Sequence, residues 1–211
     1  MIQCGLPRAL VDRAQRIVSD ELDHAELAHQ CMVDLGGRRD AVELDIASLA
    51  MLDDAAGPLA SLVDTILHAF CLGETLAVPL FAAMRPHTVQ PTAAAALQRL
   101  LRDEASHRAF GWDALDALLD IDPCGVRARV KDRLPTALQT FEQAYGKVPD
   151  GPPLTRAERA AGLLDGAAYR AAYHHALVDD IGPRLARRGI DLPGGCPPLP
   201  LDPLPPPSQP E

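Results

Sequence analysis

Two stretches of this chain repeat one arrangement of acid and imidazole: Asp20-Glu21-Leu22-Asp23-His24-Ala25 and Asp103-Glu104-Ala105-Ser106-His107-Arg108. A carboxylate and a histidine three residues apart stand on one face of a helix, so each Glu-x-x-His pair offers two metal-ligating groups side by side. A third acid, Glu74, stands alone in an apolar stretch. Carboxylate with imidazole is the donor set of iron or manganese, with zinc able to take it too. The candidate ligands are therefore Glu21, His24, Glu74, Glu104 and His107.

Steps of three and four show where these residues stand on their helices. The first row reads Leu10, Ala14, Ile17, Glu21, His24, Ala28, Cys31, Leu35. Another reads Leu97, Leu100, Glu104, His107, Gly111, Ala114, Leu118, Ile121, and a third Val63, Leu67, Phe70, Glu74, Ala77, Phe81, Met84. Each row is otherwise small or apolar, so each should face a core. Three carboxylates on apolar seams need a counter-charge, and no Lys or Arg shares their rows. A multivalent cation held by Glu and His provides it.

The elements that must position these groups are all helical. Periodic sequence runs from Pro7 to Leu35, where Gly36-Gly37 stops it. Asp40-x-x-Glu43 reads as a capping box for a short helix to about Asp53. Further helices are expected over about Leu59–Met84 and Thr92–Leu119, then a weaker segment over Gly125–Tyr145 that Pro135 kinks or divides. Thr155-x-x-Glu158 caps a last helix to about Arg188. No segment alternates with period two, so no strand is expected. The predicted fold is an all-α helix bundle. Its metal-bearing helices occupy 1–121, a C-terminal helical extension 122–190, and a proline-rich, disordered tail 191–211.

Composition agrees with this architecture and excludes others. Apolar residues make up 47% but aromatics only 4%, a pattern suited to closely packed helices. A net charge of -9 argues against nucleic acid and anionic membrane as partners. No signal-peptide pattern opens the chain, and no apolar stretch reaches the roughly 20 residues of a membrane span, so a cytoplasmic setting is expected. The five cysteines are scattered and include no Cys-x-x-Cys, which fits reduced thiols, with Cys31 and Cys71 as small core residues.

With these residues in hand, the chain resembles the ferritin-like di-iron carboxylate superfamily. More narrowly, it is similar to bacterial ferritin-like domain proteins that carry D-E-x-x-H-A, G-E-T and D-E-x-x-H helices in that order. Here these are Asp20 to Ala25, Gly73-Glu74-Thr75, and Asp103 to His107 followed by Trp112. The likeness covers roughly residues 7 to 120. It implies a ferritin-like antiparallel bundle in which Glu21 and Glu104 bridge or bind two iron ions, His24 and His107 act as terminal ligands, and Glu74 is the third carboxylate. The superfamily also places a lone Glu on a helix ahead of the first Glu-x-x-His. This chain has no counterpart before Glu21, and Glu26, Glu43 and the pair His174-His175 are the candidate replacements.

The function this implies is O2 activation by an oxidase or oxygenase acting on a small molecule, in a chain able to form homo-oligomers. Two other readings stay open: iron binding or storage without catalysis, and a structural bundle that serves as an interaction module. Around the site, Asp20, Asp23 and Asp103 could back the histidines. Asp20 and Asp103 are expected to face solvent, with at most one of them functional. Trp112, Tyr169 and Tyr173 are expected to pack rather than react, His29 to flank the site, and His68, off the Glu74 row, to be an ordinary polar helix residue.

Overall fold

The computed structural model describes residues 1–38 and 57–193. Among them every regular element is helical. The helices are α1 (Arg8–Asp34), α2 (Pro58–Thr65), α3 (Thr75–Met84), α4 (Pro91–Ile121), α5 (Pro123–Phe141), α6 (Arg156–Ala160), α7 (Gly166–His175) and α8 (Gly182–Ala186). π-helical segments extend α5 over Glu142–Gly146 and join α7 to α8 over Ala176–Ile181. A third, Ile66–Glu74, joins α2 to α3, so that these three form one continuous rod. The expected helix at Asp40 to Asp53, with Glu43, and the tail beyond Pro193 lie outside the described residues.

α4 is the central element: the π segment Ile66–Glu74, α1, α3 and α5 all pack against it. Its buried face carries Phe110, Ala114, Leu115 and Leu118, which join Ile17, Leu67, Leu72 and Leu76 in one core. Local chemistry sets its ends. The Gln90 side chain accepts from the Ala93 amide at 2.5 Å, with Pro91 at the first position. At the far end Asp122 closes α4 and caps α5 by accepting from the Gly125 amide at 2.9 Å.

Four expectations are corrected. Pro135 does not divide its helix, since α5 runs through it. The C-terminal helix is not continuous from Thr155. The capping box of Thr155 and Glu158 forms as expected, but α6 ends within one turn at Gly162, whose φ of 99° suits glycine, and Asp165 caps a new start. The first apolar row leaves the core after His24, so that Ala28 and Leu35 are exposed. Finally, Pro58–His87 is long and apolar enough to cross a membrane, with mean hydropathy 1.7, where no such stretch was expected. It packs against α4, α5 and α7, and 39% of its most apolar stretch is buried.

The π segment also explains a displaced row. One extra residue per turn shifts the register, so the buried side beyond Leu67 runs through Cys71, Leu72, Thr75, Leu76 and Leu80 rather than Phe70, Ala77 and Phe81. Gly111 makes the close packing possible. A Cβ there would stand 2.6 Å from Phe70 Cβ and 2.8 Å from its carbonyl carbon, and Cys71 Sγ donates to the Gly111 carbonyl at 3.4 Å. Gly111→Val should therefore push α4 off the π segment and cost about 1–3 kcal/mol. Urea unfolding checks this; an unchanged midpoint would refute the close approach.

Candidate metal centre

α1, the π segment and α4 carry the five candidate ligands to one place. Glu21, Glu74, Glu104 and His107 each offer an atom within 4.8 Å of the others. His107 Nδ1 lies 3.0 Å from Glu21 Oε1 and 3.2 Å from Glu104 Oε2. His24 joins from the side: its Nδ1 is 3.4 Å from Glu21 Oε1 and 3.6 Å from Glu104 Oε1, and the two imidazole centroids are 5.7 Å apart. The histidines and Glu104 are buried and Glu74 is half-buried, whereas the Glu21 side chain is 49% exposed. The centre is therefore closed on the α4 side and open along α1.

Behind each imidazole stands the aspartate of the opposite motif. His24 Nε2 is 3.1 Å from Asp103 Oδ2, and His107 Nε2 is 3.3 Å from Asp20 Oδ2. Each Asp-Glu-x-x-His helix thus backs the other's histidine, and the expectation that Asp20 and Asp103 face solvent is corrected. Arg99 ties the pair together by donating to Asp103 and, at 3.0 Å and 3.2 Å, to Asp20 and Asp23. Arg99 was not singled out in the sequence, because it lies off the ligand row, one turn before Asp103. The Nδ1 of His24 faces Glu21 and Glu104. It is the one buried side-chain polar atom without a hydrogen-bond partner among the described residues.

Crowding governs the protonation of the metal-free cluster. Burial first, and then the neighbouring Glu104, push Glu74 up to about 9, so it holds a proton and donates it to Glu104. Burial works against ionised Glu104 as well, but His107 and the Glu74 hydrogen bond outweigh it and hold Glu104 below its ordinary value. Burial would also discharge His107, yet hydrogen bonds to Glu104, Glu21 and Asp20 hold it up at about 10. Asp103 resists burial in the same way, held below the usual carboxylate range by Arg102, Arg99 and His24.

The remaining candidates stand elsewhere. His174 and His175 belong to α7, where His175 pairs with Asp179 at 2.7 Å on the surface. His68 packs at a tilt against Phe141, and Glu26 is exposed. Trp112 is buried and donates to Thr75 Oγ1 at 3.0 Å, which locks α4 to the residue after Glu74. Tyr173 is packed as expected, while Cys71 is buried and Cys31 is not. A groove of about 290 Å³ between α1 and α4, lined by Arg13, Arg16 and Arg102, reaches Asp20 and Asp103 from outside.

The sequence matches no family model, and comparison with curated proteins and with solved structures likewise returns no match. The site is therefore read from its own chemistry. Glu74→Gln keeps a donor for Glu104 while removing an acid that must stay protonated at neutral pH. In chelator-stripped protein it should stabilise the fold by about 1–2 kcal/mol, a rise of roughly 2–8 °C in Tm. Scanning calorimetry measures this, and a lower Tm would contradict the crowding.

Proposed function

We propose that this chain is a ferritin-like, non-haem metal protein whose Glu21, His24, Glu74, Glu104 and His107 hold a pair of iron ions. Manganese or zinc could take the same donors. The observation that carries the reading is the unpartnered Nδ1 of buried His24, aimed at Glu21 and Glu104 with its other nitrogen held by Asp103. A buried imidazole lone pair without a donor is costly unless a cation takes it. Three crowded carboxylates supply the matching negative charge, and the aspartates behind both histidines fix the rings with Nδ1 facing inward.

Iron held in such a site would supply O2 activation, the chemistry of an oxidase or oxygenase acting on a small molecule. The protein's own part is to orient and to exclude water. Asp20 and Asp103 hold the imidazoles, and the apolar wall of α4 and the π segment keeps Glu74 and Glu104 dry. Metal entry requires the protons on Glu74 and His107 to leave, and the exposed edge at Glu21 is the open way in.

A one-ion reading, suited to iron binding without catalysis, is favoured by a specific feature. Four of the groups converge mutually within 4.8 Å, and His24 stands outside that set. Stoichiometry separates the two. Plasma mass spectrometry of protein grown with added iron should find about two ions per chain in the wild type and a loss of both in Glu104→Ala. One ion per chain would select the second reading. A metal-free wild type would end both.

A further inference from the structure

We propose that the groove between α1 and α4 is a binding site for a small oxyanion, a carboxylate or phosphate group held between Arg16 and Arg102. The inference goes beyond the metal reading and stands without it. The groove is lined by Asp20 and Asp103, which meet the Nε2 side of the imidazoles, whereas the ligand cluster lies on their Nδ1 side.

The polar groups around this groove do not balance. On the acid side every carboxylate oxygen is already engaged. Asp103 accepts from Arg102 at 2.9 Å through one oxygen and meets Arg99 and His24 through the other. Asp20 accepts from Arg99 at 3.0 Å through one oxygen and lies 3.3 Å from His107 through the other. On the donor side much is left over. Arg16 and Ser106 line the groove, both are exposed, and neither side chain has a partner among the described residues. Arg102 commits only its Nε, to Asp103, so both of its terminal nitrogens are free. Of the guanidiniums that line the groove, Arg13 is spent on Asp113 at 2.6 Å, and Arg16 alone has no acid within ion-pair distance. Surplus donors in a recess call for a ligand that brings acceptors, and an anion accepts most strongly.

The helices explain why these donors meet. Arg102 and Ser106 stand four residues apart on α4 and share a face. α1 packs alongside and sets Arg16 across the recess from them. The recess measures about 290 Å³, close to the roughly 300 Å³ at which small-ligand sites begin. A guanidinium presents its N–H groups as a planar fork, which matches the paired oxygens of a carboxylate or phosphate two at a time. An oxyanion there shares the Arg102 guanidinium with Asp103, so it lies one side chain removed from His24 without touching the ligand cluster.

Isothermal titration calorimetry of the whole chain at low salt tests this, with inorganic phosphate and succinate as separate probes, before and after chelator treatment. One site per chain is expected for at least one probe, with a Kd of about 1 mM or below in both preparations. Arg16→Gln should weaken it by at least about tenfold, and Ser106→Ala by about two- to tenfold. Arg85→Gln removes the same charge from an exposed position outside the groove and should leave binding unchanged. A response to phosphate alone, or to succinate alone, identifies the head group and upholds the site. Absence of binding by both probes overturns the proposal. So does binding that survives Arg16→Gln or that Arg85→Gln weakens as much. Binding that vanishes on chelation belongs to a metal and equally overturns it.

Discussion

Acids and imidazoles crowded together at the edge of the core are the constraint around which this molecule is arranged. Glu21, Glu74 and Glu104 come from three separate segments and converge on two buried imidazoles, with Glu104 itself buried, Glu74 half-buried and Glu21 open to solvent. Without a cation the cluster settles the conflict internally: Glu74 keeps a proton, His107 keeps an extra one, and Glu104 takes the charge. The Nδ1 of His24 is left without a hydrogen-bond partner. A fold that tolerates such an arrangement gives up stability at this point for what the arrangement can hold.

The scaffold around the cluster is correspondingly rigid. The π segment carries Glu74 at its last residue, and the absence of a side chain at Gly111 lets α4 lie almost on its backbone. Thr75 and Trp112 join the same two helices one residue further along. On the other flank Arg99 holds the aspartates of both motifs, so that the two histidines are oriented by one shared hub rather than by two separate contacts. Removing any one of these supports would loosen several ligands together.

Much of this was legible in the sequence, and the parts that were not have definite physical reasons. The helical class, most helix ends and the convergence of Glu21, His24, Glu74, Glu104 and His107 follow from a period of 3.6 and the spacing Glu-x-x-His. The roles of Asp20 and Asp103 were missed because a charged residue beside a ligand reads as solvent-facing when helices are taken singly. The signal was available, since the aspartate recurs at the same offset in both motifs, and a repeated neighbour implies a reciprocal contact. The shifted row of α3 was not legible, because nothing in Ile66–Glu74 announces a π turn. The break at Gly162 was, for a glycine followed by Asp165-Gly166 carries both a stop and a new cap.

The single tryptophan has one more consequence. Trp112 is buried beneath the guanidinium groups of Arg184 and Arg188, the nearer 4.9 Å from its ring centre, and is bonded to the residue next to Glu74. Its emission therefore arises from one fixed, dry place beside the carboxylate cluster. An indole so placed is an intrinsic optical reporter: events at Glu74 should register in its fluorescence without a label or an engineered probe.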